Sequence, residues 1–263
     1  MNVMPLTPLD LALTAMLIVA LAGLSLPLRL EMAGQILIAG FRMTVQLLLV
    51  GLILKWLFTT AAPGWILCFA IFMLLNAGRE VSRRQKRRLK GWWNYGIGTV
   101  TMFLSSFPLA LFTLVLVIGN QPWYEPRYAI PLLGMLLGNT MNGISIGFDR
   151  LLHSVWQQRQ VIENRLMLGE SWFEALAEIR RESIRSGMMP IINAMMASGI
   201  IVLPGMMTGQ ILAGSPPLEA VRYQIMIMFL ISAGCGFGTI LAVWLGGRRL
   251  FDNRDRLRLE RLT

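Results

Sequence analysis

The chain has 263 residues, of which 55% are hydrophobic and only 14% are charged, and its formal net charge is +10. A soluble domain carries roughly 25% charged residues, so the composition excludes an ordinary soluble protein and indicates a membrane protein. The basic residues fall in particular loops rather than over a soluble surface, which also argues against a nucleic-acid partner.

Seven apolar segments follow one another along the chain. They cover residues 11–28, 36–58, 61–77, 92–118, 129–148, 190–212 and 221–247. Crossing a hydrocarbon core of about 30 Å takes roughly 20 residues of α-helix, and most of the segments reach that length. The third segment is short, and Pro204 interrupts the sixth. The pattern predicts an all-α, polytopic membrane protein with about seven transmembrane helices in a single domain, residues 1–263.

The basic residues lie mainly in three connections. Seven occur within residues 79–90, six within 150–185 and six within 248–261. Lys and Arg near helix ends mark the cytoplasmic side of a membrane protein. This bias predicts a multi-pass protein of the bacterial inner (plasma) membrane, with its N-terminus outside and its C-terminus, the basic tail 248–263, in the cytoplasm. The simplest role of each basic cluster is a topology anchor at anionic lipid headgroups.

One connection, residues 149–189, is long, polar and helical in pattern. The periodicity of the fifth span continues to Gly169, a typical residue after the end of a helix. Ser171 and Glu174 then form an S-x-x-E capping box that predicts the start of a second helix. The sequence therefore predicts a helix, a tight turn and a helix on the cytoplasmic side. An ordinary amphipathic surface helix is the alternative interpretation.

Signatures of a soluble enzyme are scarce. His153 is the only histidine, which leaves a histidine-based metal cluster or base-activated nucleophile without its parts. No G-x-x-x-x-G-K-[ST] phosphate loop occurs, so this chain has no ATP site of that type. We expect a transport subunit without catalytic residues or cofactors of its own, and ATP with Mg²⁺ on a separate protein.

The spacing within residues 149–189 resembles the cytoplasmic loop of ATP-binding-cassette (ABC) permeases. Glu163 is followed by Gly169 six positions later and by Ile179 ten beyond that. The family's alanine pair after the Glu and its closing Leu-Pro are absent. The resemblance implies that this coupling segment contacts a cytosolic ATPase, with Trp172 and Phe173 as apolar contacts. The predicted ATPase-coupling residues are Glu163, Gly169, Ser171, Trp172, Phe173, Glu174, Ala175 and Ile179.

Several blocks together resemble the FetB family of bacterial ABC exporter permeases. They cover residues 42–47, 137–142, 181–185, 203–209 and 223–226, and the most specific is Leu-Pro-Gly-Met-Met-Thr-Gly over 203–209. The resemblance implies a homodimeric permease that exports iron or contributes to metal and oxidative-stress resistance, powered by two copies of an ATPase. Plant relatives act in aluminium tolerance, and a nucleotide sugar is an alternative cargo. An ion-driven secondary transporter or channel is a further alternative, although no carboxylate lies inside a span.

Polar residues within the spans are candidates for the transport pathway, because a polar group in lipid must face a cavity or a partner helix. Pro204 would free backbone carbonyls that are tolerated only beside protein or water. For Arg42, snorkelling to the interface is an equal alternative, and for the 18 methionines adaptable packing competes with metal binding. The predicted pathway residues are Arg42, Gln46, Asn139, Thr140, Asn142, Asn193, Pro204, Met206, Met207 and Thr208.

Overall fold

A computed structural model describes residues 7–29, 31–60, 62–119 and 121–262. Ala61, at which the third predicted span begins, lies outside the described residues, as do residues 1–6 and 263 at the two ends of the predicted domain. The described chain is all α, as predicted. Its ten α-helices are α1 (Pro8–Ser25), α2 (Ala33–Thr60), α3 (Pro63–Arg84), α4 (Trp93–Phe112), α5 (Pro126–Gln157), α6 (Arg159–Met167), α7 (Trp172–Ala175), α8 (Ala177–Ala197), α9 (Gly205–Leu212) and α10 (Pro217–Arg249).

Proline marks the start of several long helices. α1, α3, α5 and α10 each have Pro as their first residue. The ring sets φ near the helical value, and the missing N–H is one that the first turn of a helix could not use anyway. α4 continues as a π-helix over Thr113–Ile118, which ends at Gly119 in the left-handed conformation.

Six of the described helices are long and apolar enough to cross a membrane: α1, α2, α3, α4 with its π-helical continuation, α5 and α10. This confirms the polytopic membrane protein. The seventh predicted crossing is not among them, because α8 and α9, with a turn between them, occupy the interrupted span predicted over residues 190–212.

The sixth predicted span breaks earlier and more completely than the sequence indicates. α8 ends at Ala197, and residues 198–204 form a turn before the 8-residue α9. The chain leaves the helix at Gly199, whose φ of +85° lies in the left-handed region that favours glycine. Pro204, the predicted break, lies at the far end of this turn, where it cannot donate a backbone hydrogen bond.

The chain divides into two compact units. In the described part of the first, residues 1–62 with 212–214, α1 and α2 pack against each other. In the second, residues 63–211 and 215–263, α5 contacts α3, α4, α8 and α10, and α10 also contacts α4 and α8. α5 and α10 are therefore the central helices of the second unit.

Glycines allow α5, α8 and α10 to approach closely. A Cβ atom at Gly187 of α8 would lie 2.6 Å from the carbonyl oxygen of Gly143 on α5. A Cβ atom at Gly147 would lie 2.7 Å from the Thr239 side chain of α10. The small-residue spacing of Gly143 and Gly147 thus serves packing within one chain.

Candidate ATPase-coupling site and transport pathway

A buried apolar cluster joins the coupling segment to three long helices. We call it the basic-end cluster, because several of its members come from the connections that carry the basic residues. Its buried members are Leu89, Ile97, Phe148, Leu151, Leu152, Val155, Ile162, Ala175, Leu176, Ile179, Val243, Leu250, Phe251 and Leu262. Two predicted coupling residues, Ala175 and Ile179, are therefore internal packing residues. Through this cluster the coupling segment packs on α4, α5 and α10.

The turn between α6 and α7 is built as predicted. Gly169 has a φ of +94°, a conformation that a residue with a Cβ adopts only with strain. The amide of Glu170 donates to the carbonyl oxygen of Arg165 at 3.2 Å. Their side chains form an ion pair with Nε and Oε2 3.5 Å apart. The turn therefore closes through both backbone and side chains.

The capping box of Ser171 and Glu174 is confirmed. The amide of Glu174 donates to the Ser171 hydroxyl at 3.4 Å. The amide of Ser171 donates to the Glu174 carboxylate at 2.9 Å, and its hydroxyl donates to the same oxygen at 2.7 Å. These hydrogen bonds, the backbone one first, hold the pKa of Glu174 below its ordinary value, because they stabilise the charged form.

Trp172 packs against the chain's own tail. Its ring lies 6.1 Å from the ring of Phe251, measured between centroids, and the Arg248 guanidinium lies 5.7 Å from the Trp172 centroid. The backbone amide of Trp172 donates to the Asp255 carboxylate at 3.5 Å. Trp172 is half-buried by these contacts, so much of its apolar surface is covered within the chain itself.

The tail itself, predicted only as a basic segment over residues 248–263, folds back on the bundle. The amide of Arg258 donates to the carbonyl oxygen of Leu250 at 2.8 Å. The amide of Lys90 donates to the carbonyl oxygen of Arg261 at 2.8 Å. The tail therefore ties the end of α10 to the connection between α3 and α4.

Phe173, the second predicted apolar contact, is half-exposed and lies beneath an arginine. The Arg180 guanidinium lies 3.4 Å from the centroid of the Phe173 ring, within the range of a cation–π contact. Arg180 also donates from Nη2 to the carbonyl oxygen of Phe173 at 2.8 Å. One side of the aromatic ring is therefore covered by the next helix of the same chain.

The most exposed apolar surface of the coupling segment is instead at the end of α6. Met167 is 77% exposed and Leu168 is 84% exposed. We call these two residues the tip. Glu163 lies in a neighbouring groove of about 560 Å³, whose opposite wall includes Arg254 and Arg256 of the tail. The structure thus places the free apolar surface at the tip, next to a charged groove.

Two pathway candidates on α5 are engaged within the bundle. The Asn139 amide donates to the carbonyl oxygen of Met135, one turn earlier, at 2.9 Å. Thr140 is fully buried, and its hydroxyl has no hydrogen-bond partner among the described residues. A Cβ atom at Gly238 would lie 2.7 Å from the Thr140 methyl carbon, so α5 and α10 are closely packed at this level.

Asn142 points to a basic pocket. Its side-chain oxygen accepts a hydrogen bond from Nη1 of Arg84 at 2.6 Å. The amide of Lys86 donates to the Asp149 carboxylate at 2.8 Å. The pocket has a volume of about 560 Å³ and is lined by Arg84, Lys86, Ser145, Ile146, Asp149, Arg150, His153, Glu182 and Ser186. Arg150 and Glu182 form an ion pair at its edge.

The remaining candidates of the second unit flank the broken span. Asn193 is exposed, and Met206 packs against the apolar core between α5 and α10. The Thr208 hydroxyl donates to the carbonyl oxygen of Pro204 at 3.2 Å, and the same oxygen accepts a hydrogen bond from the Thr208 amide at 3.1 Å. Met207 is half-buried. Their part in a transport pathway stays a prediction.

Arg42 and Gln46 lie one turn apart on α2, and both side chains are exposed. They belong to the first unit, and their part in a transport pathway also stays a prediction. Among the described residues, no group of three or more His, Cys, Asp or Glu side chains is placed to hold a metal ion. The role of the methionine-rich segments stays open.

The family model described as "Uncharacterised protein family (UPF0014)" matches residues 8–251. The chain belongs to this family.

Three relatives are similar over most of their length. The UPF0014 membrane protein slr1647 of Synechocystis is 37% identical over 232 residues, 87% of each chain. The probable iron export permease protein FetB of Escherichia coli is 31% identical over 263 residues, 100% of this chain and 99% of the relative. Protein ALUMINUM SENSITIVE 3 of Arabidopsis thaliana is 29% identical over 232 residues, 88% of this chain and 83% of the relative. No solved structure matches the chain.

For this member of the UPF0014 family, sequence reasoning missed the part that the tail plays. Leu250, Phe251 and Leu262 are buried in the basic-end cluster. The pattern that could have predicted this burial is the occurrence of apolar residues between the basic ones, because a solvated anchor does not need apolar side chains. The tip was also missed, although Met167 and Leu168 directly precede the glycine of the turn.

Proposed function

We propose that this chain is the membrane-spanning permease subunit of an ABC exporter, driven by a separate cytosolic ATPase that carries ATP and Mg²⁺. The observation that carries the proposal is the basic-end cluster. It attaches a compact helix-turn-helix to α4, α5 and α10 through residues that are nearly all excluded from solvent. A close-packed core transmits displacement, so a push on the turn would move three candidate spans together.

The tip is the proposed docking surface. Its two apolar residues are exposed on a turn that a glycine, a capping box and an ion pair hold in place. Such a surface suits insertion into a groove of a partner protein. Trp172 and Phe173 are each partly covered within the chain, because one packs on the tail and the other lies under Arg180. This assignment moves the expected ATPase contact from Trp172 and Phe173 to Met167 and Leu168.

Iron is the proposed cargo, and the E. coli relative's printed name, "probable iron export permease", supports it. The basic ends are proposed to lie in the cytoplasm and the N-terminus outside, in the bacterial inner membrane, because Lys and Arg favour the cytoplasmic side. The working assembly is proposed to be a homodimer with two ATPase copies. In this mechanism the chain makes and breaks no covalent bond. It opens its pathway alternately to the two sides of the membrane.

Co-purification in mild detergent tests the docking surface. The unsubstituted chain should retain an ATPase with a phosphate-binding loop, identified by mass spectrometry. Leu168→Glu should weaken that association by about 2 kcal/mol or more, roughly thirtyfold, because it places a charge on an apolar contact. Val161→Glu is the matched control, since Val161 is a 55% exposed apolar residue two turns earlier on α6.

Normal ATPase retention by Leu168→Glu would show that the tip is not the docking surface. Proton-driven or sodium-driven flux from the pure chain in liposomes, with no ATPase bound, would reject the ABC mechanism as a whole. Equal losses from Leu168→Glu and Val161→Glu would contradict a contact centred on the tip.

A further inference from the structure

A second groove lies on the outer surface of the bundle, between the coupling segment and α10. Its volume is about 560 Å³. The residues that define it are Phe173, Arg180, Ile184, Phe237, Ile240 and Trp244. Arg180 is the only charged residue in its lining, and the rest of the lining is apolar. Neither the tip nor the basic pocket contributes to it.

The position of the groove along α10 relates it to the membrane. α10 ends at Arg249, and the apolar wall runs from Phe237 to Trp244. At 1.5 Å per residue, the groove therefore reaches about 18 Å from the basic end of the helix. That distance is roughly half of a hydrocarbon core of about 30 Å, which is the depth of one leaflet. Phe237 is 61% exposed and Trp244 is 45% exposed, so their apolar surface is open to lipid.

Arg180 lies at the shallow end of this groove, because it is one helical turn after Leu176, whose side chain lies 3.5 Å from the Cβ position of Gly247 near the basic end of α10. Among the described residues no carboxylate forms an ion pair with Arg180, and its Nε is buried without a hydrogen-bond partner. Burial, and then the neighbouring charge of Arg181, lower the pKa of Arg180 from its ordinary value. A buried or half-buried charge that lacks a counter-ion is unfavourable, so an anion at this point would stabilise the fold.

We propose that this groove binds one phospholipid, with its phosphate on Arg180 and an acyl chain along Phe237, Ile240 and Trp244. The distribution of polar groups favours a lipid over a protein partner, because the one charged side chain lies at one end of an otherwise apolar groove. A helix or peptide interface would be rimmed by polar groups on several sides, whereas this groove has one cation at its membrane-surface end and apolar residues below it. Arginine matches the phosphate geometry through its several N–H donors.

The bound phosphate would also steady the coupling segment. Arg180 donates to the carbonyl oxygen of Phe173 and covers its ring. A headgroup that fixes the Arg180 guanidinium therefore also fixes the first turn of α7. This inference requires only that α10 lies in a bilayer, and it does not depend on the ABC proposal.

Native mass spectrometry of the delipidated full chain tests the site. The protein is titrated with phosphatidylglycerol and, separately, with diacylglycerol of the same acyl chains. Phosphatidylglycerol should bind one molecule per chain at least about tenfold more tightly than diacylglycerol, the difference expected when a charge-assisted hydrogen bond is present. Arg180→Gln should remove this preference, and Arg180→Lys should restore most of it.

Arg181→Gln is the matched control, because it removes the same charge from an exposed neighbour that is not part of the groove lining. It should leave the preference unchanged. Equal loss in Arg180→Gln and Arg181→Gln would mean diffuse attraction to a basic surface and would overturn the site. Arg180→Gln is used only if it folds, as judged by size-exclusion elution. If it does not fold, the comparison of the two lipids on the unsubstituted chain still tests the proposal, since equal binding of both would reject the phosphate contact. A groove filled by a second copy of the chain, seen as a dimer that excludes both lipids, would also reject it.

Discussion

Two of the left-handed glycines in the second unit, Gly169 and Gly199, lie at breaks between helices that are built differently. Their φ angles are similar, +94° and +85°. At Gly169 the turn is closed by the ion pair of Arg165 with Glu170 and by a capping box. At Gly199 the closure is mainly backbone, with the Gly199 amide donating to the carbonyl oxygen of Val202 at 3.0 Å.

Their surroundings differ as well. Beneath the Gly169 break lies the basic-end cluster, which buries Leu176 completely. At the Gly199 break the apolar residues face outward, with Ile200 89% exposed and Ile201 82% exposed. The comparison teaches that one backbone device can be closed in two ways. The turn at Gly169 uses side-chain partners and an apolar support, whereas the turn at Gly199 satisfies backbone groups within itself.

The largest expected effect comes from the support of the first break. Leu176→Ala should lower the free energy of unfolding by about 2–5 kcal/mol, because it leaves a cavity in a close-packed cluster. Ile200→Ala at the second break should change it by no more than about 0.5 kcal/mol, since the side chain has little protein contact to lose. Thermal unfolding in detergent measures both. Similar losses at the two positions would show that Ile200 is covered in the folded protein and would remove the contrast.

A smaller effect is expected from the glycines themselves. Gly169→Ala and Gly199→Ala should each cost about 1–2 kcal/mol, because an L-residue is strained at positive φ. Gly96→Ala in α4 is the control, since Gly96 is helical and no atom lies within 4 Å of its Cβ position. It should be neutral or slightly stabilising. If only Gly169→Ala also weakens ATPase association, the two breaks have separate functions, whereas a loss from both would link them.

The smallest effect concerns pH and should be confined to the first break. Glu174 has a lowered pKa in the folded protein, so its stabilising contribution is complete above the ordinary value of 4.5 and is lost as the pH falls through the folded value. Glu174→Gln should therefore lower the Tm at pH 7 but not near the acid limit. Residues 198–204 contain no titratable side chain, so the second break should show no such dependence.

Glu178→Gln provides the matched control for that experiment. Glu178 is an exposed carboxylate on the first turn of α8, outside the capping box. Its substitution should shift the Tm by a small amount that does not follow the pH dependence of Glu174→Gln. A pH-independent difference between wild type and Glu174→Gln would contradict the role of the charged cap.

Local patterns in the sequence were sufficient to predict much of the local structure of the coupling segment. The glycine of the turn and the capping box at Ser171 both depend on residues within four positions of one another, so they can be predicted without knowledge of the fold. Contacts between distant residues were not predicted. The ring of Trp172, whose contact with an ATPase stays a prediction, packs on Phe251, 79 positions later. Asn142 binds Arg84, 58 positions earlier.

The sequence by itself therefore determined that this is an all-α membrane protein, where most of its long apolar helices lie, the turn at Gly169 and the family. Composition and short-range periodicity set these properties, because helix hydrogen bonds and caps form within a few residues. Only the tertiary structure decided which apolar residues remain free. The folding of the tail onto α7 covers Trp172, the stacking of Arg180 covers one side of Phe173, and the tip is left exposed. Such outcomes depend on packing between segments far apart in the chain, which no local pattern specifies.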